Sequence, residues 1–308
     1  MLRLAFLGAI LASGPATAQA PVAAPAQADP QVAASQAVIR KLNAYVELMN
    51  RTLRASDSLA RYASWVNMKT GPTGRERIIY GLYSLYDVRG ESAKALAATA
   101  QEPAMPELDG AIKAYLAAYE ALAPTIDKAE KYYERQDYKD DKMAEGRAMH
   151  AVLASAGPTF LAERARTDAL LGKAKAASDE AELALIEKHE GRKARWHARN
   201  VMVRVRPVID LLPSEKKPVV DMPAFDGAIA TYAAAVREMD DYASANPGAF
   251  SAFESQPRSL LGKLREFRDK LARAKGDARR GAGSDLTWIV NGYNMMVSSS
   301  SMATRFAR

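Results

Sequence analysis

Apolar residues recur in this chain at alternating intervals of four and three, as in Leu108, Ile112, Tyr115, Tyr119, Leu122, Ile126, Ala129 and Tyr133. That spacing places all of them on one face of an α-helix, whereas a half-buried strand needs a period of two. The same pattern runs through Ile39, Leu42, Val46, Met49, Leu53, Ser56, Ala60 and Ala63. With 48% hydrophobic and 26% charged residues the chain has enough apolar surface to fold, and its few Gly and Pro argue against a many-turned β-sandwich. The expected fold class is all-α: a multi-helix bundle of long helices.

Local signals set expected boundaries. Asp29 is a good N-cap, Pro30 suits a first helical position, and this helix is expected to run to about Met68. Thr73 and Glu76 form a capping-box pattern that predicts a second helix carrying Ile78, Ile79, Leu82, Leu85 and Tyr86. The helix starting at Met105-Pro106 contains Pro124, which is expected to kink or split it. A further helix begins at Asp140-Asp141 and is expected to be interrupted or kinked at Gly157-Pro158. Another runs from about Ser178 to Leu212, ended by Pro213. Leu260, Leu264, Phe267, Leu271 and Ala274 mark a basic helix, and Leu286, Ile289, Tyr293 and Met296 a terminal one, capped by Ser284 after a turn at 281–283.

The chain also resembles itself. The segment from Met105 to Tyr115 reappears from Met222 to Tyr232 with seven of eleven positions identical, and the buried face continues at the same offset through Val236, Met239 and Ala243. This predicts two related halves, about 31–170 and 178–305, within a helical domain spanning 31–308.

Residues 1–18 read as a secretory signal peptide: Arg3 is the positive charge, Leu4 to Ala12 the apolar stretch, and Ala16-Thr17-Ala18 the cleavage site. Residues 19–30 read as a flexible leader rich in Ala, Pro and Gln. No transmembrane anchor is expected after cleavage. The chain has no cysteine, which excludes disulfides and attachment of lipid to a cysteine at the cleavage site. The expected location is periplasmic or secreted, in a bacterium. A formal charge of +7 in that compartment points to anionic envelope surfaces and not to nucleic acid.

Catalytic constellations are sparse. The three histidines, His150, His189 and His197, form no pair four residues apart, so no metal and no cofactor is expected. There is no nucleophile elbow. Gly71 to Arg77 reads as a capped turn in preference to a phosphate cradle. The densest aromatic and acidic cluster is Tyr132, Tyr133 and Tyr138 with Asp137, Asp140 and Asp141; with His150 it is the place to look for a small-ligand site. Asp140 and Asp141 also suit a helix N-terminus. Positive charge gathers in the second half, first at Arg192, Lys193, Arg195, Arg199, Arg204 and Arg206. It gathers again at Lys263, Arg265, Arg268, Lys270, Arg273 and Lys275, a candidate surface for anionic lipid or cell-wall polymer.

The stretch from Tyr132 to Gly146, followed by His150, resembles the YiiG-like family of bacterial envelope proteins, a domain of unknown function; Asn43-Ala44-Tyr45 and Tyr293-Asn294 resemble its flanking helices. The resemblance covers most of residues 35–305. It implies a helical envelope domain, in some members lipid-anchored, and carries over no catalytic residue. The expected function is therefore an exported, non-catalytic helical binding or scaffold protein of the cell envelope, with an envelope protein, anionic lipid or cell-wall polymer as partner. The alternative is a small-ligand-binding or hydrolytic protein using the cluster from Tyr132 to His150.

Overall fold

The structure, a computed structural model, describes residues 29–214, 217–250, 253–280 and 283–306. The signal peptide and the leader up to residue 28 thus lie outside the described residues, as does the turn at 281–282. Regular secondary structure among the described residues is helical, beside one isolated antiparallel bridge between Val219 and Asp277. The chain divides into two compact units, one ending at Ser178 and the other beginning at Asp179.

In the N-terminal unit, α1 (Pro30–Arg51) starts as expected, with the Asp29 carboxylate accepting from the Gln31 N–H at 2.7 Å. It ends earlier than the spacing predicts. The Thr52 hydroxyl donates back to the Leu48 carbonyl at 2.7 Å, a bond that bends helices, and α2 (Leu53–Ala63) sets off with a new phase. Consequently α2 buries Ala55, Ser58, Leu59 and Tyr62, while Ser56 is half-buried and Ala60 and Ala63 are exposed.

The second helix expected from the Thr73–Glu76 pattern does not form. The Glu76 carboxylate does accept from the Thr73 and Gly74 N–H groups, at 2.6 and 2.8 Å, but the chain then continues irregularly to Val88. Gly81 takes a left-handed φ of 65°, which glycine adopts without strain. Side chains of α1 and α2, with Trp65 just beyond α2, hold the segment by its backbone. Ser58 bonds both the N–H and the carbonyl of Tyr83, and Arg51, Arg54, Arg61 and Trp65 donate to the carbonyls of Asp87, Ser84, Tyr80 and Gly81. The guanidiniums of Arg54 and Arg61 also lie 4.1 and 4.4 Å from the Tyr83 ring centre. These bonds replace the ladder a helix would have supplied.

Helix α3 (Arg89–Ala98) leads into α4 (Pro106–Arg135), which buries all eight residues of the opening pattern. Pro124 neither splits α4 nor sits against the core: it is exposed, so the carbonyl it leaves without a helical donor, that of Glu120, is on the solvent side. Helix α5 (Ala144–Glu190) likewise runs unbroken through Gly157-Pro158. Pro158 is exposed, and Gly157 lies against Leu59, whose methyl is 3.3 Å from where a Cβ would stand.

In the C-terminal unit the expected helix 178–212 is cut at Gly191, whose left-handed φ of 76° ends α5 before α6 (Ala194–Asp210) begins. Then follow α7 (Met222–Ala245), α8 (Ser255–Arg273) and α9 (Gly283–Phe306). Each of α6 to α9 packs on the next and α9 returns to α6, closing a four-helix ring around Phe225, Tyr232, Met239, Leu264, Phe267 and Ile289. The repeated residues occupy like places: Phe225, Ile229, Tyr232, Val236, Met239 and Ala243 are buried in α7 as their counterparts are in α4. One position diverges. Asp226 is exposed, whereas Asp109 is buried on the ammonium of Lys41, itself 1% exposed.

Candidate functional site

The aromatic cluster forms where α4 ends and α5 begins. Gln136, Lys142 and Met143 all take left-handed conformations there, with φ of 62°, 52° and 67°. They fold the connection tightly enough to set the Tyr138 ring 6.4 Å from that of Tyr132 and 6.2 Å from that of Tyr133. Asp141 accepts from the Glu145 N–H and from the Tyr132 hydroxyl, both at 2.8 Å, so its carboxylate caps α5. Those two donors, the backbone one foremost, hold the Asp141 carboxyl below the usual range, and burial followed by Asp141 pushes the Tyr132 phenol upward.

His150 stands two turns into α5, with Nδ1 3.2 Å from the Tyr62 hydroxyl. A Cβ on Gly71, whose φ is 79°, would lie 2.8 Å from the His150 ring, so the turn fits the imidazole only with glycine there. Tyr62 joins the histidine to the other rings, 6.4 Å from Tyr133, while Trp65 meets Tyr133 edge-on at 5.1 Å. Burial raises the Tyr62 phenol to about 12.

Of the residues singled out in the sequence, the structure thus gathers Tyr132, Tyr133, Tyr138, Asp141 and His150, and leaves Asp140 exposed. Tyr62 and Trp65 were missed because the apolar phase was carried across Thr52; their spacing of three residues was the available signal. The N–H groups of Thr73 and Gly74, which a phosphate would need, are already bound to Glu76. No group of three or more His, Asp or Glu residues among the described residues is placed to hold a metal ion.

The cluster has one asymmetric feature. The Tyr132 hydroxyl donates to Asp141, but the Tyr133 hydroxyl is buried without a hydrogen-bond partner. Removing a bonded hydroxyl leaves its acceptor short, whereas removing an orphan relieves desolvation. Tyr132→Phe is expected to lower the melting temperature by about 2–4 °C and Tyr133→Phe to leave it unchanged or raise it. Thermal denaturation of both variants checks this, and equal losses would contradict it.

Two histidines make stability depend on pH. Burial, first, holds His150 and His197 below the usual histidine range; the Met68 carbonyl opposes it at His150 and the Glu238 charge at His197. The unfolded chain therefore takes up these protons at about pH 6.5, before the folded one does, and stability falls as pH drops below that value. Urea midpoints are expected to be lower at about pH 5 than at about pH 7.5, with His197→Gln reducing the difference. Unchanged midpoints would refute the assignment.

The basic residues of the second half fall into two groups. Arg195, Arg199 and Arg204 of α6, with Arg192 in the turn before it, face the acidic end of α5: Arg199 reaches Asp179 at 2.6 Å and Glu182 at 2.8 Å, Arg192 reaches Glu187 at 2.8 Å, and Arg195 and Arg204 pair with Glu190 and Glu180. On α8, Arg268 pairs with Asp269 and Lys270 with Asp285. Lys263 lies over the Trp288 ring, 5.4 Å from its centre. Arg265 and Arg273 on α8, and Lys275 just beyond it, are exposed and have no carboxylate partner among the described residues.

These features define a two-unit, all-helical protein whose polar clusters are satisfied largely from within. The chain belongs to the family described as "Protein of unknown function (DUF3829)", whose model matches residues 36–301. It is similar to the uncharacterized protein YiiG of Escherichia coli strain K12, 28% identical over 286 residues that cover 88% of this chain and 80% of that one. This agrees with the family resemblance of the Tyr132 to His150 stretch. No solved structure matches the chain.

Proposed function

We propose that this chain is an exported, non-catalytic binding or scaffold protein of the bacterial cell envelope, attached to an anionic envelope component through the α8 surface. The observation that carries the reading is the contrast between α6 and α8. Arg195, Arg199 and Arg204 of α6 are paired with carboxylates of α5 and Arg206 with Asp210 of α6 itself, while Arg265, Arg273 and Lys275 stay exposed and unpaired among the described residues. Export rests on residues 1–18, and the absence of any helix among the described residues long and apolar enough to cross a membrane accords with surface attachment. The common buried face of α4 and α7 supports reading the two units as related copies.

The ligand-binding or hydrolytic alternative at Tyr132 to His150 has less support. Asp141 is engaged in capping α5 and His150 faces Tyr62, which leaves neither poised toward an external group.

The test uses protein purified after export, its processed N-terminus confirmed by mass spectrometry, mixed with isolated envelope material. Retention is expected at about 0.01 M salt, where screening reaches ~30 Å, and release at about 1 M, where it reaches ~3 Å. No retention at low salt would overturn the reading.

A further inference from the structure

The irregular segment between α2 and α3 carries a tyrosine at every third position, Tyr80, Tyr83 and Tyr86, and the helices that hold it supply Arg51, Arg54 and Arg61. In the structure these six side chains alternate. The Arg61 guanidinium stands 5.9 Å from the Tyr80 ring centre and 4.4 Å from that of Tyr83. Arg54 stands 4.1 Å from Tyr83 and 5.9 Å from Tyr86, and Arg51 4.7 Å from Tyr86. The result is one continuous row of three cations and three phenol rings on the surface of the N-terminal unit. Each guanidinium is held twice, by a ring and by the bond its Nε donates to a carbonyl of the segment, at 3.1 Å for Arg51, 3.4 Å for Arg54 and 2.8 Å for Arg61. That bond uses one of the five N–H donors in the planar fork. The Nη groups of all three have no hydrogen-bond partner among the described residues. Glu91 lies 3.8 Å from Arg51, but neither Arg54 nor Arg61 has a carboxylate within 4 Å among the described residues. With Glu91 counted, and Asp57, half-buried on α2 between the other two arginines, the row stays net positive.

A surface arginine ordinarily gives up rotamer freedom when it grips an anion, and these three have already lost it. Fixed forks suit the paired oxygens of a carboxylate or phosphate. The rings select what carries those anions. Tyr80 and Tyr86 are 48% and 51% exposed and offer an apolar face edged by a hydroxyl, the complement of a sugar, which has apolar C–H faces and a polar rim. A bilayer fits poorly, because every ring of the row bears a guanidinium, and burial among acyl chains would strip that cation of water. An acidic peptide added as a strand fits poorly too, because the carbonyls of Tyr80, Gly81, Tyr83, Ser84 and Asp87 already accept from side chains beneath them.

We propose that this row is a binding site for an anionic polysaccharide, whose carboxylate or phosphate groups sit on the Nη groups of Arg51, Arg54 and Arg61 while its sugar rings lie against Tyr80 and Tyr86. The site belongs to the N-terminal unit and does not depend on the α8 surface. The choice of a sugar polymer over a single-stranded nucleic acid rests on the export reading above.

The experiment uses the same protein purified after export and soluble oligouronates, with neutral dextran, polyglutamate and oligothymidylate as comparisons. Binding to the oligouronates and not to dextran is expected, weakening as salt rises. Arg54→Gln and Arg61→Gln are each expected to weaken it about tenfold, the worth of one charge-assisted pair. Tyr80→Ala and Tyr86→Ala are expected to cost about fivefold each. Circular dichroism confirms that the variants are folded; the two tyrosine variants leave the arginine-to-carbonyl bonds in place and test the row where an arginine variant unfolds. Joint replacement of Arg265, Arg273 and Lys275 by Gln is expected to leave oligouronate binding unchanged. Its loss in that variant would assign the binding to α8, overturning this proposal and supporting the envelope reading. Tyrosine variants that bind as the parent does would also overturn it, as would polyglutamate or oligothymidylate binding as tightly as oligouronate. No oligouronate binding at low salt would overturn it while leaving the α8 reading to its own test.

Discussion

Lys41→Met is expected to destabilise the N-terminal unit by about 3–5 kcal/mol, because it strips a buried carboxylate of its counter-charge. Lys41 is 1% exposed, and its ammonium donates to Asp109 at 2.8 Å and to the carbonyls of Gln101 and Pro103 at 2.9 and 3.0 Å. All three of its protons are thus engaged. Asp109 in turn accepts from the Tyr45 hydroxyl and from the Met105 N–H at the start of α4. The pair therefore ties α1 to the α3–α4 connection and to the first turn of α4. Removing only the ammonium leaves Asp109 buried and charged beside two unpaired carbonyls. Removing both charges, as in Lys41→Met with Asp109→Leu, takes away the uncompensated ion, and the double variant is expected to regain a large part of the loss. Urea unfolding of the two single variants and the double variant measures the coupling. Additive losses would show that the charges do not act as a pair.

A loss of about 2–4 kcal/mol is expected in the C-terminal unit for Gly276→Val, from left-handed strain and overpacking together. Gly276 has a φ of 83°, and a Cβ there would stand 2.8 Å from the Val220 carbonyl oxygen, a backbone atom that cannot swing aside. The glycine also closes α8, donating to the Leu271 carbonyl at 2.8 Å, and accepts from the Val220 N–H at 3.0 Å. It holds the segment entering α7 against the end of α8. Gly262, within α8, has nothing within 4 Å of an added Cβ, so Gly262→Ala is expected to stabilise by about 0.5–1 kcal/mol. Denaturation of the two variants side by side separates the backbone argument from a general effect of replacing glycine. Gly276→Val matching the parent protein would refute it.

The parts of the fold legible in the sequence are those where one helix face does all the burying. The faces of α4 and α7 were readable residue by residue, because a period near 3.6 leaves little freedom about which side turns inward, whereas those of α8 and α9 were readable in part: Leu261 and Val290 are buried outside the expected spacing, and Leu286 and Tyr293 are only half-buried. Legibility failed where a local signal had two outcomes of similar energy. Thr73 and Glu76 do make their capping bonds, yet whether a helix follows depended on Ser58, Arg54 and Arg61 being present to satisfy an extended backbone. Gly157-Pro158 reads as a break until Leu59 is seen against the glycine and solvent beside the proline. Gly191, which does end a helix, is followed by Arg192 and not by a proline, so nothing beside it marked a break.

In the candidate site, the tyrosines, Asp141 and His150 were marked by their density along the chain. Tyr62 of α2 and Trp65 just beyond it were not. The Lys41–Asp109 pair was invisible altogether, since a lysine and an aspartate 68 residues apart carry no sign that burial will bring them together.

By itself, then, the sequence determined the helical class, the family, the repeated helix start and the absence of disulfides, all of which follow from periodicity, motif and composition. Only the tertiary structure decided which charges are free. An arginine on α6 and one on α8 are alike in sequence, and the difference between them is whether another helix sets a carboxylate within reach, because an ion pair depends on distance in space and not on distance along the chain.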